Sequence, residues 1–163
     1  MSELKLRRYR ESDQATVLEL HVVGLKQVGS YGGDGPWDDD VRNIIEHYHQ
    51  NEGEFLVGEY EGRVVAMGAF RKTGPREAEI KRMRTHPNLQ GRGFGQQIYD
   101  ALEVKAREMG YRRLHLETGV SHYPAQKLYT RNGFVETHRG TVHLSLNSIF
   151  YEKILDCTPE EEN

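Results

Sequence analysis

The stretch "LQGRGFGQQI", residues 89–98, sets Gly91, Gly93 and Gly95 within five positions and then runs into a helical pattern. Glycine weakens a helix start unless the backbone takes angles closed to other residues or something must approach the main chain closely. N–H groups exposed at a helix start, with no β-carbons in the way, suit phosphate oxygens, so the amides of residues 91–96 are a candidate cradle for a pyrophosphate. The loop is not a P-loop, because Gly95 is followed by Gln96 and Gln97 where Lys and Ser or Thr are needed. Nor is it a dinucleotide fingerprint: its spacing is G-x-G-x-G, and it does not directly follow the first strand. A second irregularity lies just upstream in "AEIKRMRTH", where the apolar Ile80 and Met83 are three apart. A regular strand places inward-facing residues two or four apart, so a bulge near Lys81 and Arg82 is expected, and a bulge frees main-chain groups from the ladder.

These features need elements to hold them. "LKLRRYR" (4–10) reads as a strand, and Ser12 or Asp13 can cap a helix whose Ala15, Leu18, Val22, Leu25 and Val28 recur at helical spacing. After the glycine-rich "GSYGGDGP", the acidic residues of "WDDDVRNIIEHYHQ" suit the first turn of a second helix. "EFLVGEY" and "RVVAMGAFRK" read as a hairpin turned at Glu61-Gly62, and "AEIKRMRTH" as the next strand. A long helix from about Phe94 to Met109 follows, with Ile98, Ala101, Leu102, Ala106 and Met109 as its buried stripe and Gly110 as its stop. "YRRLHLET" is a strand, "YPAQKLYTRNGF" a short helix entered through Pro124, and "FVETHR" with "VHLSLNSIFYEKIL" a closing strand pair. Strands that run together first and alternate with helices later predict an α/β (α+β) domain over residues 1–155, a mixed sheet with helices on both faces. "DCTPEEEN" (156–163) reads as an acidic, solvated tail.

Composition bounds the function. With 163 residues, 36% of them hydrophobic and 29% charged, the chain suits one compact domain. A net charge of -3 argues against a nucleic-acid binder driven by bulk electrostatics. No apolar run has the length of a membrane span, and "MSELKLRRYR" lacks the apolar core of a signal peptide. Cys157 is the only cysteine, which leaves neither a disulfide framework nor a cysteine metal site. His47 and His49 stand two apart on a helix and point in different directions, so no metal centre is expected, and the histidines other than His122 read as surface residues. The expected setting is a reducing cytoplasm.

The loop "QGRGFG" resembles the Q/R-x-x-G-x-G/A motif of the GNAT superfamily of acetyl-CoA-dependent N-acetyltransferases, with Gln90, Gly93 and Gly95 at the key places. "EIKRMRTHP" before it and "AQKLYTRNGF" after it, the latter similar to the family's A-x-x-L-Y-x-x-x-G-F helix, extend the likeness. It covers about residues 3–155 and is strongest from Ala78 to Phe134. The resemblance implies a single-domain, mostly antiparallel twisted sheet whose central strand pair is splayed. It also implies acetyl-CoA as co-substrate, lying on Gln90, Gly91, Arg92, Gly93, Phe94, Gly95 and Gln96. Carried over residue by residue, the pantetheine arm pairs with main-chain atoms of Met83 and Thr85, and the Met83 N–H donates to the thioester oxygen. A donor there stabilises the oxyanion formed when an amine attacks. His122 stands three before Ala125, where the family often carries a CoA-contacting asparagine, and its imidazole can donate or accept a hydrogen bond. Tyr129 matches the family's general acid, which returns a proton to the CoA sulfur; on helix position alone it is a buried aromatic beside Ala125 and Leu128.

Attack on a thioester needs a neutral amine, so a carboxylate must take the ammonium proton directly or through water. Glu79, on the face where acceptors bind in related proteins, is the first candidate, against a reading as a solvated or salt-bridged glutamate next to Lys81. Glu117 in "HLET" and water are the alternatives. In related proteins the segment joining the first two helices walls the acceptor site. Here it is "YGGDGPWDDD", in which Trp37 can cover part of a ligand and Asp34 or Asp38 can attract an ammonium. Lys81, Arg82 and Arg84 suit a carboxylate or phosphate. The expected reaction moves the acetyl group of acetyl-CoA to a primary amine, that of a small, amino-acid-like molecule. A protein or peptide acceptor, and a non-catalytic CoA-binding regulator, are the alternatives. Neither nucleic acid nor a membrane is expected as partner, and a homodimer is left open.

Overall fold

The computed structural model describes residues 3–27, 29, 33, 35–141 and 147–155. Val28, Asp34 and the tail from residue 156 onward lie outside the described residues, and with them the readings made above for those positions.

Glu61 and Gly62 take φ of 52° and 80°. Two successive left-handed residues give a two-residue hairpin whose twist matches its strands, and they join β2 (Glu54–Tyr60) to β3 (Arg63–Gly74). β1 (Lys5–Arg8) pairs antiparallel with β2, and β4 (Glu77–Thr85) antiparallel with β3. β5 (Arg113–Gly119) then adds in parallel to β4, while β7 (Asn147–Ile154) inserts between β5 and β6 (Val135–Thr141). The result is one seven-stranded sheet in the order β1-β2-β3-β4-β5-β7-β6, mixed and mostly antiparallel.

Each face carries its own core. α1 (Gln14–Gln27), the single-turn α2 (Asp39–Arg42) and the residues after it bring Val17, Leu20, Val41, Ile44 and Tyr48 onto Phe55, Val57, Met67 and Ala69. On the opposite face, α3 (Phe94–Glu108) and α4 (Tyr123–Arg131) bring Phe94, Ile98, Leu102, Leu128 and Tyr129 onto Phe70, Ile80, Leu114 and Leu116. The alternation of side chains along β2 and β3 feeds both cores from one strand, as a sheet covered on two sides requires.

Three expectations need correction. The buried stripe of α1 is Val17, Leu20 and His21, and Ala15 is exposed. The segment "WDDDVRNIIEHYHQ" is not one helix: a 3-10 turn Pro36–Asp38, α2 and a π-helical turn Ile45–His49 follow one another, because Asp38, Asp40 and Tyr48 are all drawn inward by polar partners. Met109 is 40% exposed, since α3 ends one residue earlier and Gly110 turns the chain away at φ 89°.

Candidate active site

The ladder breaks at β4. Met67 pairs with Arg84 and Ala69 with Lys81, so Arg82 and Met83 together stand opposite Gly68. Arg82 takes φ 61°, a left-handed angle that costs a residue with a β-carbon. Its guanidinium is anchored accordingly: Nε and Nη2 donate to Asp40 at 2.9 and 2.6 Å, and Nη2 donates to the Trp37 carbonyl at 2.8 Å. The bulge sits where the sequence spacing put it. On the other side, β4 pairs with β5 only at Glu77 to Glu79 against Arg113 to His115. Beyond Glu79 the two parallel strands part, and their main-chain groups are left to another partner.

Two cavities of about 360 Å3 each open at this split, and they share Met83, Arg84, His122, Ala125 and Tyr129. The first runs toward the start of α3 along Thr85, Gln90, Gly91, Gly93, Gly95 and Gln96. Gly93, the residue that caps α3, has φ 83°, and a β-carbon there would meet nothing within 4 Å. Glycine serves the backbone angle at this position, and the open space above it leaves the helix amides accessible to an anion. Freed strand edge, glycine cap and helix N-terminus together fit an extended, amide-bearing chain that ends in a diphosphate. The side chains divide the work unevenly. Gln90 bonds Gln27 and the Thr85 carbonyl, Gln96 ties α3 to Asn132 at the end of α4, and Phe94 is buried beside Tyr60. Arg92 turns to the Tyr60 hydroxyl at 3.2 Å, away from this cavity.

The second cavity lies on the α1 side and is lined by Trp37, Asp38, Glu79, Lys81, Arg82, Arg84 and Glu117, among others. The structure therefore brings together Tyr129, Glu79, Glu117, Lys81 and Trp37. Tyr129 has its ring 5.5 Å from Phe134 and is 5% exposed, yet no described side chain bonds its hydroxyl. Burial pushes that hydroxyl above its usual range, and the nearby Arg84 charge pulls it back. Glu79 Oε1 accepts from Arg71 at 3.0 and 2.9 Å, which is the salt-bridged arrangement weighed above. Glu117 is exposed to the cavity and has no hydrogen bond or ion pair within 4 Å from a described side chain. His122 lines both cavities with Nδ1 3.4 Å from the Thr118 hydroxyl, and burial, then Arg84, hold it neutral further into the acid range.

One network was not read from the sequence. His21, taken for a surface residue, is fully buried with Nε2 2.9 Å from Asp38 Oδ1. Burial, together with the charges of Arg82 and Arg84, pulls its pKa down to about 4. Asp38 is thus committed to His21, with Arg82 Nη1 at 3.9 Å, rather than presented to an ammonium. Asp40 accepts from Arg82 and from the Tyr48 hydroxyl; burial alone would raise its pKa, but Arg82 holds it well below the usual carboxylate range. The missed signal was the helical face: His21 follows Leu20 and lies four after Val17, on the stripe that packs inward. Among the described residues, no group of three His, Cys, Asp or Glu side chains is placed to hold a metal ion, and no helix is long and apolar enough to cross a membrane.

Comparison with known proteins fits this geometry. The model of the Acetyltransferase (GNAT) family matches residues 26–134. The uncharacterised N-acetyltransferase YsnE of Bacillus subtilis is 40% identical over 117 residues, 71% of this chain and 64% of that protein. The IAA acetyltransferase of Azospirillum brasilense is 36% identical over 83 residues, 50% of this chain and 54% of that protein. The chain thus spans less than two thirds of the length of these curated relatives. Among solved structures, yncA from Salmonella typhimurium, determined with its cofactor acetyl-CoA, superposes with a TM-score of 0.78 at 20% identity, covering 96% of each chain.

Proposed function

Because the chain belongs to the Acetyltransferase (GNAT) family, we propose that it transfers the acetyl group of acetyl-CoA to the primary amine of a small, amino-acid-like molecule. The observation that carries this reading is the junction of the two cavities at Met83 and Tyr129. A thioester entering from the α3 side and an amine entering from the α1 side meet there. Acetyl-CoA supplies the activated carbonyl. The Met83 N–H, freed by the bulge and the split, polarises that carbonyl and stabilises the oxyanion. The amides of residues 91–96 hold the diphosphate with the help of the α3 dipole, and Arg92 contributes through its amide rather than its side chain.

Two proton transfers remain. Glu117, with both oxygens free of a described side-chain donor, takes the proton of the incoming ammonium. Glu79 is the second reading for that role, favoured by its place in the same cavity but opposed by the Arg71 guanidinium on Oε1. Tyr129 returns a proton to the sulfur. The walled acceptor cavity of about 360 Å3 supports a small molecule over a folded protein surface, and Trp37 covers one side of it. Incubation with acetyl-CoA and panels of small amines and of peptides, read by mass spectrometry, tests the reading. Addition of one acetyl group to small amines is expected; acetylation of peptides alone would replace the acceptor class, and no transfer at all would leave a CoA-binding regulator.

A further inference from the structure

Most charges around the acceptor cavity cancel within the protein. Arg82 is matched by Asp40 and Asp38, Asp38 also by His21, and Glu79 by Arg71. Three lining charges have no hydrogen bond or ion pair to a described side chain: Lys81, Arg84 and Glu117. The cavity therefore offers two cations and one carboxylate to whatever enters it.

Arg84 carries the strongest sign of a missing partner. Its Nη1 donates to the Met83 carbonyl at 2.9 Å, but its Nε is buried with no hydrogen-bond partner at all. A guanidinium with a buried, idle donor is poorly compensated, so an anion close to it is favoured. With Nη1 used and Nε covered by α1 at Gly24, Nη2 is the donor left to reach an anion in the cavity. The side chain reaches this place by crossing α1 at Gly24, where a β-carbon would come within 2.7 Å of Arg84 Cδ. It lines both cavities, at the junction where the reacting carbonyl is proposed to lie.

We propose that Arg84, together with Lys81, holds an acid group of the acceptor, so that the amine acetylated by this protein is one that also carries a carboxylate. The ammonium end faces Glu117 and the carboxylate end faces the two cations, which fixes the amine in one orientation at the junction of the cavities. Burial, reinforced by Arg82, lowers the proton affinity of both cations, that of Arg84 to about 10, and a bound carboxylate relieves both. This assignment rests on the acetyl transfer proposed above.

The test uses the whole chain with acetyl-CoA and matched acceptors: α-amino acids, their methyl esters and the corresponding decarboxylated amines. Free acids are expected to exceed esters and amines in kcat/KM by ~10- to 100-fold, the range of one charge-assisted hydrogen bond. Arg84→Gln is expected to lower the preference for acids over decarboxylated amines, read as a ratio of kcat/KM, by a similar factor whatever happens to the absolute rates, and Arg84→Lys to recover part of that preference. Equal use of acid and ester by the parent enzyme overturns the proposal without any variant, which covers the case of a poorly folding substitution. Loss of acetyl-CoA affinity in Arg84→Gln with acid selectivity intact also overturns it, by assigning Arg84 to the cofactor. Acetylation of peptides alone, or of nothing, instead removes the small-acceptor reading and the proposal with it.

Discussion

Arg82 and Asp40 are joined by two hydrogen bonds, 2.9 and 2.6 Å long, between the bulge of β4 and α2, which follows the 3-10 turn whose Trp37 and Asp38 line the acceptor cavity. Asp40 is 6% exposed, so the pair is a buried one. It holds a non-glycine residue at φ 61° and in doing so fixes the bulge at Arg82 and Met83.

Removing one partner of a buried pair leaves the other charge uncompensated, which typically costs ~3–5 kcal/mol. Asp40→Asn is therefore expected to lower unfolding free energy by about that amount in urea titrations, and to raise KM for both substrates in the protein that remains folded. A change below ~1 kcal/mol would mean that the bulge is held by the sheet alone.

His21 gives stability a pH dependence of defined sign. Its pKa is near 4 in the folded chain against 6.5 in the unfolded one, so between these values the unfolded state binds more protons. Stability is then fully present above about 6.5 and falls as the pH drops toward 4, by up to ~3 kcal/mol for this group. His49, His115 and His122 are shifted in the same direction, so the difference between parent and His21→Gln isolates the effect. Thermal melts from pH 4 to 7 should be flatter for the variant; parallel curves would deny His21 its role.

The sheet and the glycine cap were legible because local chemistry dictates them. Glu61-Gly62 specifies a hairpin, the three-residue spacing of Ile80 and Met83 specifies a bulge, and Gly93 permits the left-handed cap of α3. The buried network behind the acceptor cavity was not legible. His21, Asp40 and Tyr48 look like ordinary residues in sequence, and only their meeting with Asp38 and Arg82 across α1, α2 and β4 makes them a buried network. That meeting is a long-range event, and it overrides the regular helix that the acidic run Asp38 to Asp40 suggests. Likewise, the idle Nε of Arg84 becomes visible only after its neighbours have been paired off.

Gly93→Val should strain α3 at its cap, because a β-branched residue does not tolerate φ 83°. It also places a side chain over the amides proposed to hold the diphosphate. KM for acetyl-CoA is expected to rise at least ~10-fold while KM for the acceptor moves little. Steady-state kinetics with each substrate varied in turn decides it; an equal rise in both would point to general misfolding.

Tyr129→Phe removes a hydroxyl that has no described side-chain partner and keeps the ring that packs on Phe134. Melting temperature and acetyl-CoA affinity are expected to hold, and kcat to fall ~10- to 1,000-fold, the span of a lost general acid. Unchanged kcat would reduce Tyr129 to a packing residue.

The two carboxylates of the acceptor cavity separate by pH. A base matters most where few amines are already neutral, so losing it hurts most in acid and least near the amine's own pKa. Glu117→Gln is expected to give a kcat/KM that climbs about tenfold per pH unit until that pKa, with the parent levelling off earlier. Glu79→Gln leaves Arg71 without its carboxylate partner at Oε1, and is expected to lower the rate by a factor that does not vary with pH. The same pH-rate measurement on both variants reads the difference directly. If the acid-side loss appears in Glu79→Gln instead, the proton leaves through Glu79, and the Arg71 contact must then open when the amine binds.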